Sequence, residues 1–358
     1  MMKRKLFLLL LPVIGLGLIP AFFNFDRISA QTTTVTPTPT PLKSPTPTPT
    51  PVEDDETIRI ETELVNLSVR VIDRNNRPIN NLRKEDFKVF EDNVPQEIDA
   101  FSKAEVPTNY ALVIDNSGSL RMQLDKVIEA SKIIVNTNKS DDETSVIRFV
   151  DSEKVEIAQE FTSSKNDLMD ALDNLYIEGG QTAIIDAVYL GAQRVDEYEK
   201  SKNPNEKKRR ALILVSDGED RDSFYNEQQL FDLLRESDVQ IYAIGFVNDL
   251  SKEGGFISKS PQAKAKAFME RLAKETGGKV YFPNSLTELN GIAADIASEL
   301  RTQYLISYSP TNTDKDGTFR TIRVSVTDGP NKEKRIAQTR SGRKAITDGN
   351  APTLQKKP

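Results

Sequence analysis

Asp115-Asn116-Ser117-Gly118-Ser119 sets one carboxylate and two hydroxyls at alternate positions of a single short stretch, directly before a helical segment. Oxygen side chains spaced so closely can face one cation. The chain has no Cys, His or Trp, which excludes thiolate and imidazole zinc sites, Ser-His-Asp and Cys-His nucleophiles, and disulfide frameworks. A metal here must be held by oxygen, which favours magnesium, calcium or manganese over zinc or copper. Two more oxygen donors stand further along. Thr182 follows Gly179-Gly180-Gln181 where a helix opens, and Asp217 lies in Ser216-Asp217-Gly218 at the end of an apolar strand. Each has a local alternative: Ser119 and Thr182 as helix N-caps, Asp217-Gly218 as an ordinary turn. Jointly, all five side chains fall at one edge of the strands that carry them, where a parallel sheet makes them converge.

Those strands belong to a middle region, residues 107–302, that alternates apolar strands with helices. Strands are expected at Tyr110 to Ile114, Ser145 to Val150, Ala211 to Val215, Val239 to Phe246 and Lys279 to Phe282. Helices are expected near Met122 to Thr137, Ala183 to Tyr198, Glu227 to Arg235, Ala263 to Lys274 and Leu286 to Leu300. Continuous apolar strands imply a mainly parallel sheet covered on both faces, with Val155 to Phe161 as an antiparallel edge strand. The fold class that follows is α/β, doubly wound, with its working site outside the carboxyl ends of the strands.

Both flanks of this region read as β structure. In residues 57–106, Leu67, Val69 and Val71 alternate, after a change of parity near Val65-Asn66, and short strands follow at Phe87 to Glu91 and Gln96 to Ser102. In residues 303–344, Gln303 to Ser309 and Thr318 to Thr327 read as strands joined by a turn around Asp316-Gly317. About four short strands make a poor core alone. The two flanks are therefore expected to pack together as one small β-sandwich-like domain, into which the α/β region is inserted. From Asn331 onward the chain is rich in Lys and Arg and reads as a solvated end, with residues 345–358 a disordered basic tail.

Residues 1–30 read as a secretory signal: Lys3, Arg4 and Lys5 precede an apolar stretch from Leu6 to Phe25, and Ser29 and Ala30 suit cleavage. The alternative is an uncleaved membrane anchor. Residues 31–56 are dominated by Thr and Pro, an extended stalk without the apolar content to fold. The protein is thus expected to be secreted, periplasmic or held at the cell surface. Its net charge is −6 over 358 residues, and removing the cationic first 30 leaves it more acidic, which argues against a general nucleic-acid binder.

At the five oxygen residues the sequence resembles a von Willebrand factor type A domain with a metal-ion-dependent adhesion site. That family's pattern is Asp-x-Ser-x-Ser, a Thr in a Gly-rich loop, and an Asp after a strand; Asp115, Ser117, Ser119, Thr182 and Asp217 supply it in order, and Ala183 to Ala187 and Val215 to Asp220 also match. The flanks resemble a group of exported bacterial proteins built around such domains, through Val69 to Glu91 and Tyr304 to Pro310. That group often ends with an aromatic after a Ser-Gly pair, where this chain has Ser341-Gly342-Arg343. The resemblance implies direct metal binding by the three hydroxyls, with Asp115 and Asp217 holding coordinated waters, and an ion (Mg2+, alternatively Mn2+ or Ca2+) that accepts an Asp or Glu from a protein partner. It also implies that a shift of the last helix, Leu286 to Leu300, can change affinity.

Other readings compete. A magnesium-dependent phosphoryl-transfer enzyme would use Asp115 as nucleophile, but the haloacid-dehalogenase-like pattern needs a second Asp where Ser117 stands, and only carboxylates such as Glu219 and Asp220 remain as acid-base groups. A Ser341–Lys344 pair lies in the basic end, and Gly277-Gly278-Lys279 lacks the earlier Gly and following hydroxyl of a phosphate loop. A third reading makes the metal purely structural. The acidic stretch Glu219 to Asp222 either tunes partner choice or is simply solvated. The expectation is recognition rather than catalysis.

Overall fold

The computed structural model describes residues 64–345, apart from 76, 104–105, 201–207 and 254–258. The signal segment, the stalk, the start of the first β region and the basic tail after residue 345 lie outside the described residues; Ala345, expected to begin that tail, is instead buried, with its N–H donating to the Thr318 carbonyl (2.9 Å). Four strands precede the α/β region: β1 (Val65–Ile72), β2 (Phe87–Glu91), β3 (Val94–Gln96) and β4 (Ala100–Ser102). The α/β region follows with β5 (Thr108–Asp115), α1 (Leu124–Asn136), β6 (Glu143–Phe149), β7 (Val155–Thr162), α2 (Lys165–Asp173), α3 (Ile184–Lys200), β8 (Arg209–Ser216), α4 (Glu227–Glu236), β9 (Gln240–Gly245), α5 (Pro261–Thr276), β10 (Lys279–Tyr281) and α6 (Leu289–Glu299). The last strands are β11 (Tyr304–Tyr308), β12 (Phe319–Val326), β13 (Ile336–Gln338) and β14 (Gly342–Lys344).

The central sheet has the order β10-β9-β8-β5-β6-β7, parallel throughout except for β7, which runs antiparallel to β6 at the edge. Every residue of β5 is buried, because alternate side chains enter two different cores. Tyr110, Leu112 and Ile114 pack with α1, α2 and α6, whereas Ala111 and Val113 pack with α3, α4 and α5. The sheet is therefore doubly wound. From β5 the chain moves to β6 on one side and later to β8 on the other, so the crevice between the ends of β5 and β8 is the switch point.

The flanking strands form two four-stranded antiparallel sheets, β13-β1-β11-β4 and β14-β12-β2-β3. They share one core, with Leu67, Val69, Phe87, Val89, Tyr304, Ile306, Tyr308, Ile322 and Val324. Tyr304 stacks near Phe87 and Phe101, and its hydroxyl donates to the Ile79 carbonyl (2.8 Å) while accepting from Leu82 N–H (3.0 Å). Both crossings into the insertion meet at Arg209, whose N–H donates to the Pro107 carbonyl (2.8 Å) and whose guanidinium donates to the carbonyls of Leu300 and Gln303.

Four details differ from the sequence reading. The stretch Gln96 to Ser102 is broken, with β3 and β4 in different sheets, and β11 and β12 likewise belong to opposite sheets rather than to one hairpin. Helix α2 is additional; its face of Leu168 and Leu172 is too narrow to stand out among polar neighbours. The end from Asn331 is not merely solvated: β13 pairs with β1 and β14 with β12. There Arg343 is buried and bonded to Glu91 (3.0 Å), which also accepts from the Tyr308 hydroxyl (2.5 Å). A long-range ion pair of this kind turns basic residues inward, and no local pattern reveals it.

Candidate metal centre

β5 delivers Asp115 to the crevice fully buried. One carboxylate oxygen accepts from Ser117 N–H (2.9 Å) and the other from the Ser216 hydroxyl (2.7 Å) at the end of β8. The loop then turns so that the Ser117 and Ser119 hydroxyls lie 2.9 Å apart. Asn116, also buried, fixes this loop: its N–H donates to the Phe149 carbonyl, its side-chain amide donates to the Tyr176 carbonyl (2.7 Å), and its own carbonyl accepts from Glu178 N–H (2.8 Å). The segment bearing Tyr176 and Glu178 runs directly into Thr182.

Thr182 is buried just before α3, and its carbonyl accepts from Arg221 N–H (2.9 Å) in the loop that carries Asp217. Asp217 is buried too, and accepts from Glu219 N–H (3.0 Å). The following Gly218 has φ +84°, and a Cβ there would lie 2.9 Å from that of Ala265, so the turn requires glycine. Beyond it, the Asp186 carboxylate accepts from the N–H groups of Phe224 and Tyr225, both at 2.8 Å. The three loops bearing the five sequence-predicted residues are thus stitched to one another at the switch point. Asp115, Ser117 and Ser119 are in one hydrogen-bonded group, Asp217 follows Ser216 of that same group, and Thr182 is tied to the Asp217 loop through its backbone.

The electrostatics are those of a site short of positive charge. Burial pushes the Asp115 carboxyl up to about 6; hydrogen bonds from Ser117 and Ser216 oppose this, and the charge of Asp217 adds to it. Burial also raises Asp186, against the pull of the Phe224 and Tyr225 amides, with Asp220 and Asp222 adding to the rise. Among the described residues, none of Asp115, Asp217 and Asp186 has an ion-pair partner. No group of three or more His, Cys, Asp or Glu able to hold a metal occurs among them either. The donor set of the crevice, hydroxyls with two carboxylates, fits a hard cation that keeps waters.

Three residues with a part in this arrangement were not singled out from the sequence. Ser216 bridges Asp115 to the Gly218 N–H (3.1 Å), Asn116 joins two loops, and Asp186 anchors the third. The available signals were a Ser ending an apolar strand and an Asp in the first turn of an otherwise apolar helix start. The competing motifs have other roles. Gly277, at φ +77°, caps α5, and Lys279 pairs with Asp295 (2.5 Å). Ser341 donates to the Glu275 carbonyl, whereas Lys344 pairs with Glu236.

A sequence profile of the von Willebrand factor type A domain matches residues 109–295, just over half of the chain and the whole span from β5 into α6. The chain belongs to the von Willebrand factor type A domain family. No curated protein matches it significantly. Among solved structures, it is similar to a von Willebrand factor type A protein from Catenulispora acidiphila, with 12% identity over 81% of this chain and 76% of that one and a TM-score of 0.44. It is also similar to an aerotolerance-related membrane protein of Bacteroides fragilis NCTC 9343 with multiple mutations to serine, with 20% identity, 54% and 98% coverage and a TM-score of 0.40. Proximal thread matrix protein 1 of the mussel byssus, in a structure whose adhesion-site motif holds zinc, shows 19% identity, 55% and 48% coverage and a TM-score of 0.43. Type A domains of this family are interaction modules, and metal-dependent adhesion is their general mode. No helix among the described residues is long and apolar enough to cross a membrane.

Proposed function

We propose that this type A domain recognises a protein partner by metal-dependent capture of a carboxylate, and that it does so outside the cell. Ser117, Ser119 and Thr182 would bind the ion directly, with Asp115 and Asp217 behind them. The observation that carries this reading is the pair of buried carboxylates, Asp115 and Asp217, with no cationic side chain to neutralise them among the described residues. Leaving an ionised carboxylate buried and unpaired costs several kcal/mol, so the arrangement is the apo half of a charge pair. When bound, a divalent cation supplies that missing charge and an exchangeable position for a partner's Asp or Glu. The residues themselves do the rest: Asn116 and Ser216 hold the loops in register, and Gly218 lets the Asp217 loop close over α5. The ion is proposed to be Mg2+, with Mn2+ or Ca2+ as alternatives.

The reading includes a domain arrangement. Residues 1–30 export the chain, 31–56 form the stalk, 57–106 and 303–345 make the sandwich, 107–302 carry the site, and 346–358 trail. Catalysis is not part of it, because Ser117 occupies the position at which a phosphoryl-transferring relative of this fold class needs a second acid. Nucleic acid is not part of it either, given the acidic balance of the chain. The test is calorimetric titration of Mg2+, Mn2+ and Ca2+ into the metal-free protein, wild type against Asp115→Ala/Asp217→Ala, with thermal melts of both. One ion bound by wild type and none by a folded double variant is the expected result. Wild type that binds no ion at millimolar concentration removes the reading.

A further inference from the structure

The three loops that carry the proposed ligands share a second property. Among the described residues, the most exposed large apolar side chains are Met122 (80%), Phe224 (67%) and Tyr176 (53%). Met122 lies three residues after Ser119, Tyr176 six before Thr182, and Phe224 seven after Asp217, so each site loop exposes one of the three. Isolated exposed apolar residues need no explanation, but the top three falling one to each loop of a single site do. Nor are they loose. Tyr176 has its carbonyl held by Asn116 and its ring beneath the Arg148 guanidinium, 4.5 Å from the centroid. Phe224 has its N–H held by Asp186 and its ring set edge-on to Tyr225, which stacks on Tyr189. Large side chains held out by bonded backbone are the form in which interfaces carry binding energy at low entropic cost.

Around these side chains the rim is acidic. Asp220 and Asp222 are exposed in the Asp217 loop, and Asp222 accepts from the Ser152 hydroxyl (3.0 Å), which brings the β6–β7 turn with Asp151 and Glu153 alongside. Arg121, Arg221 and, from that same turn, Lys154 oppose them, the last two paired with Glu219 and Glu178. We infer that the partner is a protein segment whose coordinating carboxylate is flanked by aromatic or aliphatic side chains, with Lys or Arg beyond them. The apolar flanks cover Met122, Tyr176 and Phe224, the basic ones meet the rim, and a carboxylate in acidic surroundings is rejected by like-charge repulsion.

This inference rests on the metal-dependent capture proposed above, and one experiment separates the two. Displayed random dodecapeptides with a fixed central Asp are selected on the immobilised full chain in millimolar Mg2+ and eluted with chelator. The best are resynthesised with a fluorophore and measured by anisotropy on wild type and on Met122→Ser/Tyr176→Ser/Phe224→Ser. Selection of aromatic or aliphatic neighbours followed by Lys or Arg is expected, with about tenfold weaker binding by the triple variant; magnesium affinity by calorimetry should be unchanged. Chelator-sensitive peptides with small polar or acidic flanks, or equal affinity for the triple variant, overturn the inference and leave metal-dependent capture standing. A selection with no chelator-sensitive peptide removes both.

Discussion

The molecule treats buried carboxylates in two opposite ways. In the sandwich and at its border each has a cationic partner: Glu91 lies against Arg343 (3.0 Å), and Glu299 of α6 against Arg70 of β1 (2.7 Å), with all four side chains below one-tenth exposed. At the carboxyl edge of the central sheet Asp115 and Asp217 are as deeply buried, yet have only hydroxyl and amide donors. The α/β region has complete pairs as well, buried Asp142 with Arg301 (2.6 Å) and buried Asp196 with Arg210 (2.7 Å), so the incomplete ones are confined to this one edge. On the function proposed above, the difference separates carboxylates that serve structure from those that await an external charge at the sheet edge.

The sharpest way to break this comparison is to make the sandwich resemble the site. Arg343→Met leaves Glu91 buried without its partner and should cost about 3 to 5 kcal/mol in urea unfolding; a loss below about 1 kcal/mol would place Arg343 among ordinary surface residues. At the sheet edge the reverse holds. Magnesium at a hundred times its dissociation constant should stabilise wild type by about 2.7 kcal/mol and Asp115→Asn/Asp217→Asn by nothing, while in chelator the double variant should melt no lower than wild type. A double variant that melts well below wild type in chelator would mean that these carboxylates stabilise the apo fold.

pH divides the two halves further. In the sandwich, Asp86 is held below the ordinary carboxylate range, first by the Arg83 N–H and then by the Thr327 hydroxyl. Its contribution is present above the unfolded value and lost as pH falls through the depressed folded one, below about 4. Beside the site Asp186 is raised by burial, so the fold binds its proton before the unfolded chain does, and stability rises as pH drops through that raised value toward about 4. Melts in chelator from pH 7 to 3 should show both slopes. Asp86→Asn should reduce only the lower one, which other depressed carboxylates such as Asp73 and Asp316 share, and Asp186→Asn only the upper, which Asp115 shares; one slope changed by both variants would contradict the division. The smallest effect belongs to Lys126→Ala. It removes an exposed pair with Glu129 at 2.5 Å and should change stability by less than about 0.5 kcal/mol.

The candidate site could be read from the sequence because most of its pattern is local. The spacing of Asp115, Ser117 and Ser119 lies within five residues, and the strand–helix alternation places Thr182 and Asp217 on the same edge without any knowledge of contacts. The stitching was not legible, since Ser216, Asn116 and Asp186 act on partners more than thirty residues away in the chain, and their types are equally at home in turns and caps. The same reason hid the end of the fold. Residues 331–344 carry the charge pattern of a solvated tail, and only Glu91, far upstream, makes Arg343 a core residue. Helix α2 was hidden by brevity, although Ser164 accepts a bond from Asp167 N–H as its N-cap.

The pairing of β1 with β11 has a consequence for how the chain is made. Val65 lies opposite Tyr308, and among the described residues β4 also pairs only with β11. During synthesis from the N-terminus these strands therefore wait, edges open, while the whole α/β insertion emerges. Such non-local closure is slow, and unpaired strand edges invite association with other chains. The sandwich is the last part to close. A chain interrupted after α6 would keep every proposed metal ligand and lose the strands that hide its first four, leaving a sound site on an aggregation-prone body.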